Sequence, residues 1–396
     1  MANSLSFNQI STVLNQIARQ VTGDQAITAV DTSSFVTVAQ KTLAVGNDPV
    51  LNAINQIITR TIFSNRPYSR KFGTLRTDAQ RYGAITRKIN YLDRNAENNE
   101  MYTLVDGQSI DMYKVNKPKV KQYNFYGAET YRRSNTIFRD QLTNAFTGPD
   151  QLSEFLSGVT QNIMDQIEQD HESVARMTLA NLAAGIYNKR KPSVQVVQLL
   201  TEYNALTGGE FTSQTIFAPD VFPSFAKWVF ARIERVSEML TERTSIYHFN
   251  VTADGNIMRH TPKNRQRMYM YTPAQNEIAS RVLADVYHDN YLTGVPYEKV
   301  NFWQALSTDA DTRQVNVTPS VLDVATGNVE KISDPVTIPY LWGILMDEET
   351  AGYTTIFEEV STTPYNAAGG YWNTFYKYTD RYWNDFTENA VIFVLE

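Results

Sequence analysis

The chain lacks cysteine altogether and has only four histidines among its 396 residues. The absence of cysteine excludes disulfides, thiolate metal sites and a cysteine nucleophile. No stretch approaches the about 20 apolar residues that a membrane-spanning helix needs. The N-terminus has no basic segment followed by an apolar run, so we expect no signal peptide and a protein made soluble in the cytoplasm.

Sequence motifs of catalysis are also missing. The glycine patterns of phosphate and dinucleotide loops do not occur, and neither HExxH nor G-x-S-x-G is present. His288 has Asp285 and Asp289 beside it, which is a minimal arrangement for a general base. Asp309 and Asp311 alternate as in a calcium loop but lack its glycine and closing glutamate. We therefore predict no enzymatic activity, no metal and no cofactor.

The composition is that of a globular protein with an uneven distribution of charge. Hydrophobic residues make up 42% and charged residues 20%, and the length favours two or three structural units. The net charge of −6 argues against a surface that binds nucleic acid tightly. Residues 66–140 contain 15 Lys or Arg against 8 Asp or Glu, a net of +7, which leaves −13 for the rest.

Four lysines recur along one strand-like stretch of this basic segment, and we expect their side chains to point to the same side. One interpretation is a solvated edge strand that the lysines protect from pairing. The other is a basic strap that lies on the acidic surface of another subunit. On the second interpretation the inter-subunit contact residues are Lys114, Lys117, Lys119, Lys121, Arg132 and Arg133.

Hydrophobic periodicity predicts several helices. Residues 6–22 and 47–60 each carry an apolar stripe, and the polar, β-branched segment between them predicts an extended arm. A continuous helix over 151–187 would be roughly 55 Å long, a spine beside a sheet. Further helices are expected at 219–240 and 275–292. Strands are predicted over much of 66–140, including 101–116, and again from Val336 onward.

The C-terminal region is unusually aromatic. Eight of the sixteen residues from Tyr371 to Phe386 are aromatic. The segment has too few cationic side chains to bind a phosphate backbone while the rings stack on bases. The rings could bind sugars, with carboxylates at 347–349 as in a glycosidase. Burial in a sheet is the simpler explanation. The residues predicted to pack there are Tyr371, Trp372, Phe375, Tyr382 and Trp383.

The order of segments resembles the major capsid proteins of tailed bacteriophages, which have the Hong Kong 97 fold. The similarity is most specific in 366–396, where it resembles the major head proteins of small short-tailed phages with protein-primed DNA replication. Gly369 and Gly370 form the glycine turn of that pattern, and 371–373 its Tyr-Trp-Asn strand. Asn389, followed by Ala390 and Val391, begins its closing strand.

This resemblance implies an α+β fold with a long spine helix, an extended β-hairpin loop, and peripheral and axial domains. It implies an N-terminal arm at 1–65, the extended loop with the first peripheral strands at 66–145 and the spine helix at 146–192. An axial domain at 193–335 and a closing peripheral β segment at 336–396 would follow.

The resemblance also implies a function. The chain would assemble into the hexamers and pentamers of an icosahedral virion shell, formed in the host cytoplasm around weakly contacted double-stranded DNA. A scaffolding protein and a portal are implied as partners, and a membrane is not. The alternatives are an encapsulin-type compartment with the same fold, or a carbohydrate-binding or carbohydrate-active protein that uses the C-terminal aromatics.

Overall fold

The computed structural model describes residues 7–24, 27–46, 49–50, 53–54, 71–77, 86–93, 99–113, 115, 117, 119–125, 128–250, 256–273, 276, 297–304 and 312–396. Lys114, His288, Asp309 and Asp311 lie outside these residues, as does nearly all of the helix predicted at 275–292. The backbone of the long helix is described throughout, although some of its side chains are not.

The helices are α1 (Phe7–Thr22), α2 (Thr32–Val45), α3 (Arg139–Ala145), α4 (Pro149–Arg190), α5 (Leu199–Thr207) and α6 (Phe222–Thr241). The spine helix α4 has 42 residues, hence a length of roughly 63 Å at 1.5 Å per residue. Pro149 occupies its first turn, where a missing N–H costs nothing, and Lys189 and Arg190 lie at the negative end of its dipole. The predicted spine helix is therefore confirmed.

The strands are β1 (Thr86–Tyr91), β2 (Val120–Phe125), β3 (Ala128–Phe138), β4 (Val196–Gln198), β5 (Gln266–Tyr271), β6 (Tyr297–Val300), β7 (Val315–Val317), β8 (Ser320–Leu322), β9 (Val329–Lys331), β10 (Val336–Ile338), β11 (Leu341–Asp347), β12 (Ala351–Thr362), β13 (Tyr371–Asn384) and β14 (Ala390–Val394). A five-stranded sheet has the order β4-β14-β11-β5-β6, and a three-stranded sheet the order β12-β13-β3. The remaining strands form the pairs β1-β2, β7-β10 and β8-β9.

The five-stranded sheet forms the centre of the main core. Strand β14 is parallel to β4 and antiparallel to β11, and all its residues are buried, as predicted for a closing core strand. The C-terminal half of α4 packs there through residues such as Leu179, Leu182 and Ile186, and α6 through Phe225 and Ile233. Strands β11 and β14 belong to the five-stranded sheet, whereas β12 and β13 belong to the three-stranded sheet. Residues 336–396 therefore contribute strands to both sheets.

A second, separate core lies at the N-terminal end of α4. Helices α1 and α2 bury Leu14, Ile17 and Phe35 against Leu152 of α4 and Trp372 of β13. The prediction of an extended arm between the two N-terminal stripes is wrong, because α2 occupies that segment. A capping box provides hydrogen-bond partners for the free N–H groups at the start of α2. The Asp31 carboxylate accepts a hydrogen bond from the Ser34 N–H at 2.7 Å. Tertiary burial of Phe35 outweighs the low helix propensity of the β-branched residues.

Candidate functional site

The extended loop is the part of the described chain with the most exposed apolar side chains. Strands β1 and β2 pair antiparallel from Thr86 with Phe125 to Tyr91 with Val120. Among the described residues of the connection, Glu100–Tyr102 form a short 3-10 turn and 103–113 contain no strand, so the strand predicted over 101–116 is wrong. Its large exposed hydrophobic residues are Met101, Tyr102, Leu104, Val105, Ile110, Met112, Tyr113 and Val115.

Several of these side chains are almost completely exposed. Tyr102 is 88% exposed and Tyr113 is 81% exposed. Eight large exposed apolar side chains within fifteen residues are typical of a protein–protein contact. This surface was not predicted, because the apolar residues of the segment were interpreted as strand positions beside its lysines. The sequence does contain a signal for it. Apolar residues are frequent in 101–115, but they do not alternate strictly with polar residues as they would in a half-buried strand.

The predicted lysines do not share one strand face. Strand β2 begins only at Val120, so Lys117 and Lys119 lie in irregular, exposed chain, and the single strand face predicted for the lysines is wrong. Lys121 lies on β2 opposite Asn90 and is half-buried. The lysines therefore flank the apolar surface of the loop at its return to the hairpin.

One turn of the spine helix contacts all three strands of the smaller sheet through polar side chains. His171 is buried, with Nδ1 lying 2.8 Å from Asp380 Oδ2 on β13. The other oxygen of Asp380 accepts a hydrogen bond from Thr355 on β12 at 2.9 Å. Arg133 on β3 donates two hydrogen bonds to Asp170, at 2.9 and 2.6 Å. His171 is thus a buried residue paired with Asp380.

The two predicted contact arginines have different surroundings. The hydrogen bonds to Asp170 raise the pKa of Arg133, which is committed to a contact within its own subunit. Arg132 is exposed on the opposite face of β3, with its guanidinium 5.4 Å from the ring centroid of Phe375. Arg133 thus has a partner within its own subunit, whereas Arg132 is exposed to the surroundings, and an inter-subunit contact through either arginine stays a prediction.

The aromatic residues of β13 fall on both faces of the smaller sheet. Trp372 is buried in the second core, with its ring 4.7 Å from that of Tyr365. Tyr371 and Phe375 alternate with it and lie half-buried on the opposite face. Tyr382 is half-buried, and the ring of Trp383 covers Gly352 so closely that a Cβ there would lie 2.5 Å away. Of the five, Trp372 alone is a fully buried core residue.

The structure explains why glycine and asparagine occupy the positions on which the resemblance rests. Gly370 has a φ of +68°, and its N–H bonds the Asn366 carbonyl at 2.8 Å to close the turn. Gly369 lies under the Tyr371 ring, where a Cβ would be 2.2 Å from the nearest ring atom. Asn389 is buried, and its Nδ2 donates to Thr261 Oγ1 at 3.2 Å.

The carboxylates proposed for a glycosidase are engaged in ion pairs. Arg265 contacts Asp347, Glu348 and Glu349 at 3.3, 3.3 and 2.6 Å, and Arg267 contacts Glu348 at 2.8 Å. A cleft of about 570 Å³ is lined by other residues, including Thr74, Tyr269 and Glu298, and by none of the aromatics of β13. The geometry therefore gives no support to the carbohydrate alternative.

The described residues lack two further features. No cluster of three or more His, Asp or Glu in this part of the chain is arranged to hold a metal ion. Among the helices of the described ranges, none is long and apolar enough to cross a membrane.

Comparisons with known proteins give a family and a fold. A family model described as Phi29-like phage major capsid protein matches residues 11–394. The chain is similar to the capsid structure of Staphylococcus phage Andhra, with a TM-score of 0.52 and 10% identity, over 85% of this chain and 87% of that one. A search of curated proteins found no match.

A second solved structure gives the same result. The structure of head fiber and inner core protein gp22 of native bacteriophage P68 is similar at a TM-score of 0.53 and 11% identity, over 85% of this chain and 87% of that one. At such identities the similarity supports the fold, which is the α+β arrangement of the Hong Kong 97 type predicted above. Since the family model spans nearly the whole sequence, the chain belongs to the Phi29-like phage major capsid protein family and forms the capsid shell of a phage virion.

Proposed function

We propose that the extended loop is the element by which each subunit holds its neighbour in an icosahedral shell around double-stranded DNA. The observation that carries this proposal is the exposed apolar surface of 101–115, which no other described part of the subunit covers. Burying such a surface against a second copy is favourable by roughly 25 cal/mol per Å². The same loop repeated around a ring gives head-to-tail contacts that close.

Charge supports the same arrangement. The extension carries a net of +7 and the rest of the chain −13, so neighbouring copies offer each other opposite charge. In this proposal Lys117, Lys119, Lys121 and Arg132 form the basic border of an apolar contact. The acidic remainder suits an inner wall that contacts packaged DNA only weakly.

The domain roles complete the proposal. Residues 1–65, which include the helices α1 and α2, are the N-terminal arm, and 66–145 are the extended loop with the first peripheral strands. Residues 146–192 form the spine, 193–335 the axial domain around five- and six-fold centres, and 336–396 the closing segment. The subunit is structural and not enzymatic, and it assembles in the host cytoplasm with a scaffolding protein and a portal.

Assembly of loop variants tests the proposal. Tyr102→Ser with Tyr113→Ser, and separately Lys117, Lys119 and Lys121 all changed to Glu, should reduce shell formation while the free subunit keeps its stability. Negative-stain electron microscopy and sedimentation measure the shells, and circular dichroism checks the fold. Lys227→Glu, at an exposed lysine of α6, is the matched control and should assemble normally. Unchanged shells from both loop variants would refute the role of the loop.

A further inference from the structure

Strand β1 has its side chains in the reverse of the usual arrangement. A strand lying on the body of a protein normally turns hydrophobic residues inward and polar ones outward. Here Asn90 is buried and the Lys88 side chain is 20% exposed, whereas Ile89 and Tyr91 are 57% and 70% exposed. Strand β1 therefore presents a polar face to its own subunit and an apolar face to its surroundings, whereas β2 turns Tyr123 toward the main core and leaves Gln122 exposed.

A compact group of charges closes the polar face. Lys88 Nζ lies 2.5 Å from Asp385 Oδ2 and also contacts Glu388 Oε1. Arg259 contacts Glu388 at 3.1 Å and donates a hydrogen bond to Asn90 Oδ1. Two cations thus face two carboxylates that are almost completely buried. We call Lys88, Asn90, Arg259, Asp385 and Glu388 the hairpin latch.

On the body side of the latch, Asp385 is held by hydrogen bonds that do not involve the hairpin. Asp385 Oδ1 accepts hydrogen bonds from the N–H and the hydroxyl of Thr387, at 2.9 and 2.6 Å. Its second oxygen is thereby directed at Lys88. Burial opposes the charge of Lys88, but the carboxylates of Asp385 and Glu388 outweigh it and raise the pKa of Lys88. Lys88 is therefore an ammonium facing the Asp385 carboxylate, while burial raises the pKa of Glu388 in spite of the two nearby cations.

Further polar contacts attach the hairpin to the body. The Asp93 N–H bonds the Asn256 carbonyl at 2.9 Å, and Asp93 pairs with Arg243 at 2.5 Å. Tyr123 adds an apolar contact, since it packs against the main core. Water can take the place of polar contacts when two surfaces separate. A hairpin attached through polar contacts therefore separates from the body more readily than one attached through buried apolar side chains.

We propose that the hairpin latch fixes the angle at which the extended loop leaves the subunit, and that opening the latch lets the β1-β2 hairpin swing as a unit. The hairpin is stiffened by six paired positions, so a change at its base is transmitted to the loop. The inference rests on the proposed function, in which the loop holds a neighbour. A single loop angle in every free subunit would give every contact in a ring the same geometry.

Distance measurements on the unassembled full chain test the latch. Because the chain has no cysteine, Gln122→Cys on the outer face of β2 and Val329→Cys on β9 can be spin-labelled without other changes. Double electron–electron resonance should give a narrow distance distribution for this parent chain. Lys88→Met should broaden or shift the distribution. Lys88→Arg, which keeps the charge, and Lys119→Met, which lies in the same segment outside the latch, should leave it narrow.

The outcomes separate the latch from the proposed function. An unchanged narrow distribution in Lys88→Met would overturn the inference. If Lys88→Met does not fold by circular dichroism, the isosteric Glu388→Gln replaces it, with the same expected broadening and the same contrary result. Shell formation by the parent chain is measured separately. A parent that never assembles would count against the proposed function, whereas the distance distributions would still decide the latch.

Discussion

Gly185 lies where the spine helix α4 meets the segment that precedes the last strand. A Cβ at this position would be 2.8 Å from ring atoms of Phe386 and 3.1 Å from Val321 Cγ2. Phe386 is confined by Phe249, whose ring centroid is 5.1 Å away. The close approach of helix and ring therefore requires glycine here, although glycine ordinarily weakens a helix interior.

Gly185→Ala should lower the free energy of unfolding by about 1–3 kcal/mol, the usual cost of overpacking a core. Gly158→Ala on the same helix is the matched control, because a Cβ there meets nothing within 4 Å. This control should gain roughly 0.5–1 kcal/mol from its better helix propensity. Urea unfolding of the free subunit, followed by circular dichroism, measures both. A Gly185→Ala variant as stable as the parent would contradict the described contact.

His248 makes the stability of the folded subunit depend on pH. Burial lowers the pKa of His248 to about 4, and its Nε2 lies 2.8 Å from the Ile257 carbonyl. In the unfolded chain this histidine binds a proton near pH 6.5, and in the folded chain only near pH 4. Lowering the pH between these values therefore favours unfolding, by on the order of 3 kcal/mol in total.

His248→Gln should consequently flatten the loss of stability between about pH 6.5 and about pH 4, even though the variant is less stable at neutral pH. Urea unfolding of variant and parent across this range gives the two slopes, and their difference isolates His248 from the other titrating groups. Identical slopes would show that His248 does not stay neutral in the folded subunit.

At the scale of elements, strongly periodic segments were predictable and weakly periodic ones were not. The apolar stripes of α1 and α4 each predicted a helix that the structure contains, and Ala390–Val394 is the predicted core strand. Helix α2 was missed, since its helical state depends on burying Phe35 in a core made by distant segments. The same limit applies to residues 101–116, whose apolar side chains have no partner within the described subunit.

Strand β13 provides a test of the second core. Trp372→Ala should cost about 3–5 kcal/mol, because it removes a large ring from beneath α1 and α2. Phe375→Ala, at a half-buried ring on the opposite face of the same strand, should cost roughly 1 kcal/mol. Chemical denaturation of the two free subunits compares them directly. Equal losses would mean that the two faces of β13 are not divided between core and surface.

At the scale of the whole molecule, the sequence predicted the order of segments but not how they combine. The spine, the basic extension and the β-rich end were all recognisable from pattern and charge. The division of 336–396 between two sheets was not, because strand pairing over such separations leaves no local pattern. The contact through the lysines and arginines stays a prediction, and the exposed apolar side chains of 101–115 were not predicted, because exposure of a tyrosine or methionine cannot be inferred from charge.

Cryo-electron microscopy of shells built from this chain tests the central claim most directly. The claim is that the extended loop holds a neighbouring subunit through its apolar surface. The reconstruction should show residues 101–115 of each subunit lying against another subunit, with Tyr102 and Tyr113 buried between them. Loops that stand free in solvent in a closed shell, with both tyrosines exposed, would contradict the claim.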